Sequence, residues 1–404
     1  MMSRKEFFSK VLLFSLVVFL AIPVGSAISG APFKIGYSNS FSGFLAFMGS
    51  AGRDGFLLRV DEINAAGGIN GHKLEVIVYD DESDVTKGVL AFKKLIDSDN
   101  VHMVVGNNHS GIGIQNAALA EKNKVPYIMV GSSRWGVAKP DKWNMPADPE
   151  EVYDYVAKFW IDETAQIPIL YNYMKRLDVK SFGWMHPGYA IGRSAVKFMK
   201  LTYKSAGFEL VGAEEFGPRD TDMVPQLTKI LANKPDALII YGGGQAGVLA
   251  YKQAREMGFK GPVLADLGQT SRALLDNMGQ YMAGLTVPIV LPEAPGLATG
   301  KYEAMAPIIE RLDKGIRTKH GHRADWFNAQ GYDAALWVEY AIKRSGADPG
   351  NLKEARIEIQ KAMVTVKDFV GSLAMGDLNK FHEMPLAFIA GQVGKNNNLE
   401  VVSW

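Results

Sequence analysis

The amino-acid sequence predicts an α/β protein made of two doubly wound, Rossmann-like lobes. Apolar runs of strand length alternate with helical-period stretches from one end of the chain to the other. The alternation starts afresh after Trp143-Asn144-Met145-Pro146, as a second lobe of the same class would require. With 404 residues, 47% of them hydrophobic, the chain can bury two cores of ordinary domain size.

In the first lobe, Phe33–Tyr37 is the opening strand. Leu57, Leu58, Val60, Ile63 and Asn64 fall roughly on helical spacing, and Gly67-Gly68 ends that helix where positive φ costs little. Asn70-Gly71 turns the chain. Leu74, Val76 and Val78 then alternate with Glu75, Ile77 and Tyr79 in a strand closing at Asp80-Asp81. Met103–Val105 and Tyr127–Val130 are two further strands, each followed by a polar or Gly-rich turn and a helical stretch.

In the second lobe the pattern predicts a helical run over Glu150–Leu177, a strand at Ser181–Met185 and a helix over Gly192–Ala206. A strand at Leu210–Glu215, a helix over Met223–Asn233 and a strand at Ala237–Tyr241 follow. The helix Gly247–Met257 and the strand Val263–Ala265 complete that alternation. Leu285–Leu291, with Pro288 inside it and Pro292 after it, reads as a crossing between lobes, and Lys301–His320 and Asn328–Ser345 as helices after it. Short strands near Leu386–Ile389 and Leu399–Val402 finish the chain.

Residues 1–31 divide as a secretory signal does. Basic Arg4, Lys5 and Lys10 precede an apolar run from Val11 to Ile22, and small residues offer cleavage near Ala27 or Ala31. That run is short for a membrane span, which needs about 20 residues. There is no cysteine, so disulfides, thiol catalysis and thiolate-bound metals are excluded. The formal charge is +1, and the balance carries no signature of a nucleic-acid partner. No GxSxG, HExxH or P-loop pattern occurs, and His186, Asp220 and Asp222 form no recognisable triad. His320 and His322, in a basic run without carboxylates beside them, read as solvated surface, and no metal is expected.

One motif pulls towards a different function. Gly242-Gly243-Gly244-Gln245-Ala246-Gly247 satisfies GxGxxG after a strand, opens a helix, and has Asp266 about 20 residues later, as a dinucleotide fingerprint does. It lies in the second half of a chain whose N-terminal segment predicts export, where such a cofactor is scarce. A milder role suits it better: Gly-rich backbone at the carboxyl end of a strand lets a small ligand approach closely. No cofactor is expected.

The run "DEINAAGGINGHKLEVIVYDDESD" with "SNSFSGFLAFMG" upstream, and "FNAQGYDAALWVEYAIKRSGA" near the C-terminus, resembles the periplasmic branched-chain amino-acid-binding proteins that serve ABC importers. The resemblance covers nearly all of the chain after residue 31. It implies the type I periplasmic binding protein fold, two lobes joined by a three-stranded hinge, with residues 32–147 and 289–384 in the N-terminal lobe and 148–288 and 385–404 in the C-terminal lobe. It further implies a non-enzymatic periplasmic protein that binds a small molecule between its lobes and delivers it to an ABC permease and ATPase complex. A ligand-sensing module of a signalling system is the alternative on the same fold.

The resemblance also implies where the ligand lies. The family holds a carboxylate with hydroxyls and backbone N–H groups in two first-lobe loops, here Gly106–Gly113 and Val130–Gly136, which makes Ser110, Ser132 and Ser133 the expected contacts. The alternative for each serine is to cap the helix after it. Phe44 and Trp135 are expected as apolar walls, with ordinary interlobe packing as the alternative. Arg134 could pair with a second carboxylate. In the second lobe Tyr189 keeps the family's aromatic place, Ile191 replaces the second aromatic, and Gly244 replaces an aromatic, leaving more room. The acid that pairs with a ligand ammonium aligns on Leu267, with Asp266 one residue before it. These departures set a larger apolar or aromatic carboxylate beside a branched-chain amino acid as the expected ligand.

Overall fold

The computed structural model describes residues 30–139, 144–145, 147–148, 150–386, 388–396 and 398–401. The expected signal segment lies outside the described residues except for Gly30 and Ala31, as do Trp143 and Pro146 of the expected lobe junction.

The chain opens β1 (Phe33–Asn39), α1 (Ala46–Ala65), β2 (Leu74–Asp80), α2 (Val85–Asp97), β3 (Met103–Gly106), α3 (Ser110–Asn123), β4 (Tyr127–Met129) and β5 (Val156–Lys158). These strands form one parallel sheet in the order β2-β1-β3-β4-β5. The second part runs α4 (Glu163–Arg176), β6 (Ser181–Pro187), α5 (Ala190–Thr202), β7 (Glu209–Phe216), α6 (Val224–Leu231), β8 (Ala237–Ile240), α7 (Gln245–Glu256), β9 (Val263–Ala265), α8 (Arg272–Met278) and β10 (Thr286–Val290). After α9 (Ala306–His320), α10 (Trp326–Ser345), α11 (Leu352–Met363) and the small pair β11 (Phe369–Val370) and β12 (Met375–Gly376), the chain ends in β13 (Phe388–Val393) and β14 (Leu399–Val401). The second sheet is ordered β14-β13-β10-β9-β8-β6-β7, parallel from β7 to β10 and antiparallel beyond. The architecture is the two-lobed α/β fold expected of the sequence.

The turn between α1 and β2 forms as read: Gly67 and Gly68 have φ of 102° and 75°, and the Gly68 N–H bonds the Ile63 carbonyl at 2.9 Å. The helical reading of Glu150–Leu177 is corrected. Val156–Lys158 is a buried strand paired to β4, and α4 begins only at Glu163, after Asp162 caps it by accepting from the Thr164 N–H at 2.9 Å. A fully buried apolar strand has no alternation to betray it, so its period resembles that of a buried helix. The chain therefore stays on the first sheet to Lys158, past the change expected at 147–148, and on the second to Val290.

Three passages join the lobes: after β5, after β10 to the helices that pack on α1, and between β12 and β13. The first and third run side by side through the parallel bridge between Lys158 and Glu383. Arg134 is buried there and does not offer itself to a ligand. Its Nε lies 3.0 Å from Asp162 Oδ2 and its Nη2 3.2 Å from Glu383 Oε2, while fully buried Lys158 pairs with Asp162 at 2.5 Å and Glu383 at 2.8 Å. Burial opposes ionisation of Asp162, but Lys158 and Arg134 outweigh it and hold the carboxyl well below its usual range.

Helices α1 and α10 approach unusually closely because glycines face backbone. A Cβ on Gly55 would stand 1.9 Å from the Asn328 carbonyl oxygen, and one on Gly331 1.8 Å from that of Gly52. This contact fixes the N-terminal turn of α1, which carries Leu45, Phe47 and Met48 to the cleft.

Candidate ligand-binding cleft

The carboxyl ends of the first-sheet strands carry a rigid polar platform. Asn108 accepts from Asn39 Nδ2 at 2.6 Å through its Oδ1, donates its own N–H to Asn39 Oδ1 at 2.9 Å, and donates through Nδ2 to the Val130 carbonyl at 3.0 Å. The two residues are thus reciprocal partners. Asn107 is held by the Ser38 carbonyl, Asp81, Asn116 and Tyr127. Such saturation makes the loop before α3 stiff.

On that platform the three serines sit buried: Ser110 is 1% exposed, Ser132 and Ser133 0%. None caps a helix. His109 is the residue that caps α3, its Nδ1 accepting from the Gly111 N–H at 3.1 Å, and Ser133 precedes a short 3-10 turn that its side chain does not cap. All three hydroxyls lack a partner among the described residues. Ser132 has φ of 95° and faces Gly136, where a Cβ would stand 2.7 Å from its Oγ.

Across from them, Tyr189 begins α5 and contacts the first lobe. Its ring lies 5.3 Å from Phe44 and 5.6 Å from His109, and those two are 5.7 Å apart. Burial raises the Tyr189 phenol, with the nearby Asp266 charge adding to it. Burial likewise pushes the His109 imidazole down to about 4, leaving it neutral as a packing surface. Trp135 lies against the other lobe too, with Lys197 Nζ 5.3 Å from its ring centroid.

A cavity of about 30 Å³ is enclosed by both lobes. Leu45, Phe47, Met48, Asn108 and Trp160 wall it from one side, and Tyr189, Ile191, Gly242–Gly244, Asp266, Gly268 and Gln269 from the other. Of the residues expected at the site, Tyr189, Gly244 and Asp266 line this cavity. Phe44 backs it through Tyr189, while Ser110, Ser132, Ser133 and Trp135 lie outside its wall. Two groups on the wall have an atom without a partner among the described residues: the donor Trp160 Nε1 and the acceptor Gln269 Oε1. Trp160 escapes sequence reading because it follows the strand mistaken for helix.

The glycine-rich turn is closed on itself. Asp266 Oδ1 accepts from the Gly242 N–H at 2.9 Å, and Gln269 Nε2 donates to the Gly242 carbonyl at 2.8 Å. The acid that a dinucleotide reading reserves for a ribose is thus bound to the turn itself. Burial pushes the Asp266 carboxyl up to about 6, against the backbone donors of Gly242 and Gly268. Nor does Gly244 leave open space: its φ is 51°, and a Cβ there would stand 2.6 Å from Phe47 Cε1. His320 and His322 have ring centroids 6.1 Å apart, and no group of three metal-ligating side chains occurs among the described residues.

Comparison with known proteins adds to this geometry. The family model described as periplasmic binding protein matches residues 32–397. Leu/Ile/Val-binding protein homolog 7 of Brucella abortus is 25% identical over 367 residues, covering 90% of this chain and 88% of its own length. The substrate-binding protein LivJ of the Streptococcus pneumoniae branched-chain amino acid transporter, solved with isoleucine, is 25% identical with a TM-score of 0.75, covering 92% of this chain and 99% of its own. A solute-binding protein of a Rhodopseudomonas palustris ABC transporter, solved with benzoate, shares the fold at 20% identity and a TM-score of 0.74, covering 92% and 95%.

Proposed function

The chain belongs to the periplasmic binding protein family, a family of ligand carriers and not of catalysts, and on that premise we propose that it captures a small apolar carboxylate between its lobes and delivers it to an ABC permease and ATPase complex. The observation that carries the reading is the cavity walled by both lobes, with Trp160 and Asn108 on one side and Tyr189, Asp266 and Gln269 on the other. A ligand there makes contacts in the closed form that the open form cannot offer, which shifts the population towards closure.

The chemistry of the wall supports a carboxylate with an apolar body. Trp160 Nε1 on the wall is a donor with no partner among the described residues, as are the buried hydroxyls of Ser110, Ser132 and Ser133 outside it, and neutral donors hold a carboxylate without the tight grip of a full charge. Tyr189, Phe47 and Ile191 are apolar surface. Two ligand forms follow from this reading. Asp266 is already hydrogen-bonded to the glycine turn and needs no ammonium, which favours an apolar or aromatic acid such as the benzoate of the R. palustris neighbour. Gln269 Oε1 is an open acceptor, which favours a branched-chain amino acid such as the isoleucine of the S. pneumoniae one.

Residues 1–31 serve in this reading as the export signal, cleaved near Ala27 or Ala31, and the mature chain works in the periplasm. Thermal-shift measurement of the purified mature chain against leucine, isoleucine, phenylalanine, benzoate and phenylacetate decides the form. Stabilisation by leucine and isoleucine alone removes the aromatic reading, and stabilisation by none of the five removes the carboxylate reading altogether.

A further inference from the structure

We propose that Phe47 is the residue that sets how long a ligand the closed cleft accepts, with Gly244 as the seat that receives it; this rests on the binding reading above. Phe47 belongs to the first lobe, in the first turn of α1, yet its side chain packs against two hydrophobic clusters. One runs between the lobes through Trp160 and Trp326, and the other is the second-lobe core around Ile240 and Ala265. Its ring stands edge-on to Phe327, with centroids 5.9 Å apart, and it forms part of the cavity wall.

Gly244 receives the ring because it has no side chain. With φ at 51° and ψ at −124° its backbone lies where other residues are strained, and a Cβ would meet Phe47 at 2.6 Å from Cε1 and 2.9 Å from Cζ. The ring cannot withdraw by moving its helix. A Cβ on Gly49 would stand 1.9 Å from the Ser40 carbonyl oxygen, and Gly55 packs as closely on Asn328, so α1 is clamped on both sides. Leu45 and Met48, 3% and 7% exposed, fill the space beside it. A tail reaching from the donors at Trp160 towards the glycine turn therefore ends on the Phe47 ring. Tails beyond that length must displace the ring from its seat or hold the lobes apart.

Titration calorimetry of the mature wild type, Phe47→Ala and Phe47→Leu tests this with two length series, norvaline, norleucine and longer straight-chain homologues, and benzoate, phenylacetate and hydrocinnamate. In the class that the wild type binds, affinity is expected to fall by about tenfold or more per methylene past a threshold length. Phe47→Ala moves that threshold to longer tails, and Phe47→Leu, which keeps most of the packing, moves it part of the way. A length profile unchanged in shape in both variants overturns the role of Phe47 while leaving the binding reading intact. Failure of the wild type to bind either series overturns both.

Discussion

Lys158 Nζ lies 2.8 Å from Glu383 Oε1, an ion pair that joins the first and third passages between the lobes where they run side by side. Lys158 has no exposed surface, and it shares Asp162 with Arg134. Such a network fixes the spacing of two linking segments more than it adds net stability, because dehydrating four charges opposes their attraction.

Replacing Lys158 by Met leaves two buried carboxylates facing Arg134 alone. The expected cost is about 3–5 kcal/mol of unfolding free energy, read as a lower urea midpoint. Lys139→Ala, which breaks the more exposed pair with Glu151, is expected to change the midpoint little.

Ser110→Ala and Ser133→Ala separate binding from folding. Their hydroxyls are buried without partners among the described residues, so removing them breaks no hydrogen bond within the described fold and leaves the thermal midpoint unchanged or slightly raised. Affinity for the ligand is expected to fall by about tenfold for each, as loss of one good hydrogen bond gives. Calorimetry beside thermal melts checks both halves. Unchanged affinity in both variants removes these loops from the site.

Glu163 makes stability depend on pH. It is wholly buried beside Asp162, bonded by the Ser194 hydroxyl, and burial followed by the Asp162 charge pushes its carboxyl up to about 7. The folded protein thus holds a proton that the unfolded chain releases near its ordinary value of 4.5. Stability from this group is full below that value and is lost as pH rises towards 7, by up to about 3 kcal/mol. Glu163→Gln keeps a partner for Ser194 and is expected to flatten the decline in chemical-denaturation profiles between those limits.

Much of the fold was legible because turns and strand periods are local. The strand Val263–Ala265 and the stop at Gly67-Gly68 follow directly from residue types. The Val156–Lys158 strand did not, since burial on both faces erases its alternation. Of the residues that the family resemblance implied for the site, Tyr189, Gly244 and Asp266 line the cavity. Phe47 could not be read from the sequence: α1 starts after Leu45 without a capping side chain, so nothing local marks where its first turn points. The room expected at Gly244 is likewise filled from 197 positions away in sequence, by Phe47, which only tertiary packing decides.

Closure of the two lobes on a ligand is tested most directly by a distance across them. The chain has no cysteine, so cysteines placed at exposed Leu90 on α2 and Leu201 on α5 carry the only spin labels. Pulsed dipolar spectroscopy is expected to show the distance distribution narrowing and shifting when a ligand identified by calorimetry is added. A distribution that stays the same at saturating ligand would contradict capture by closure between the lobes.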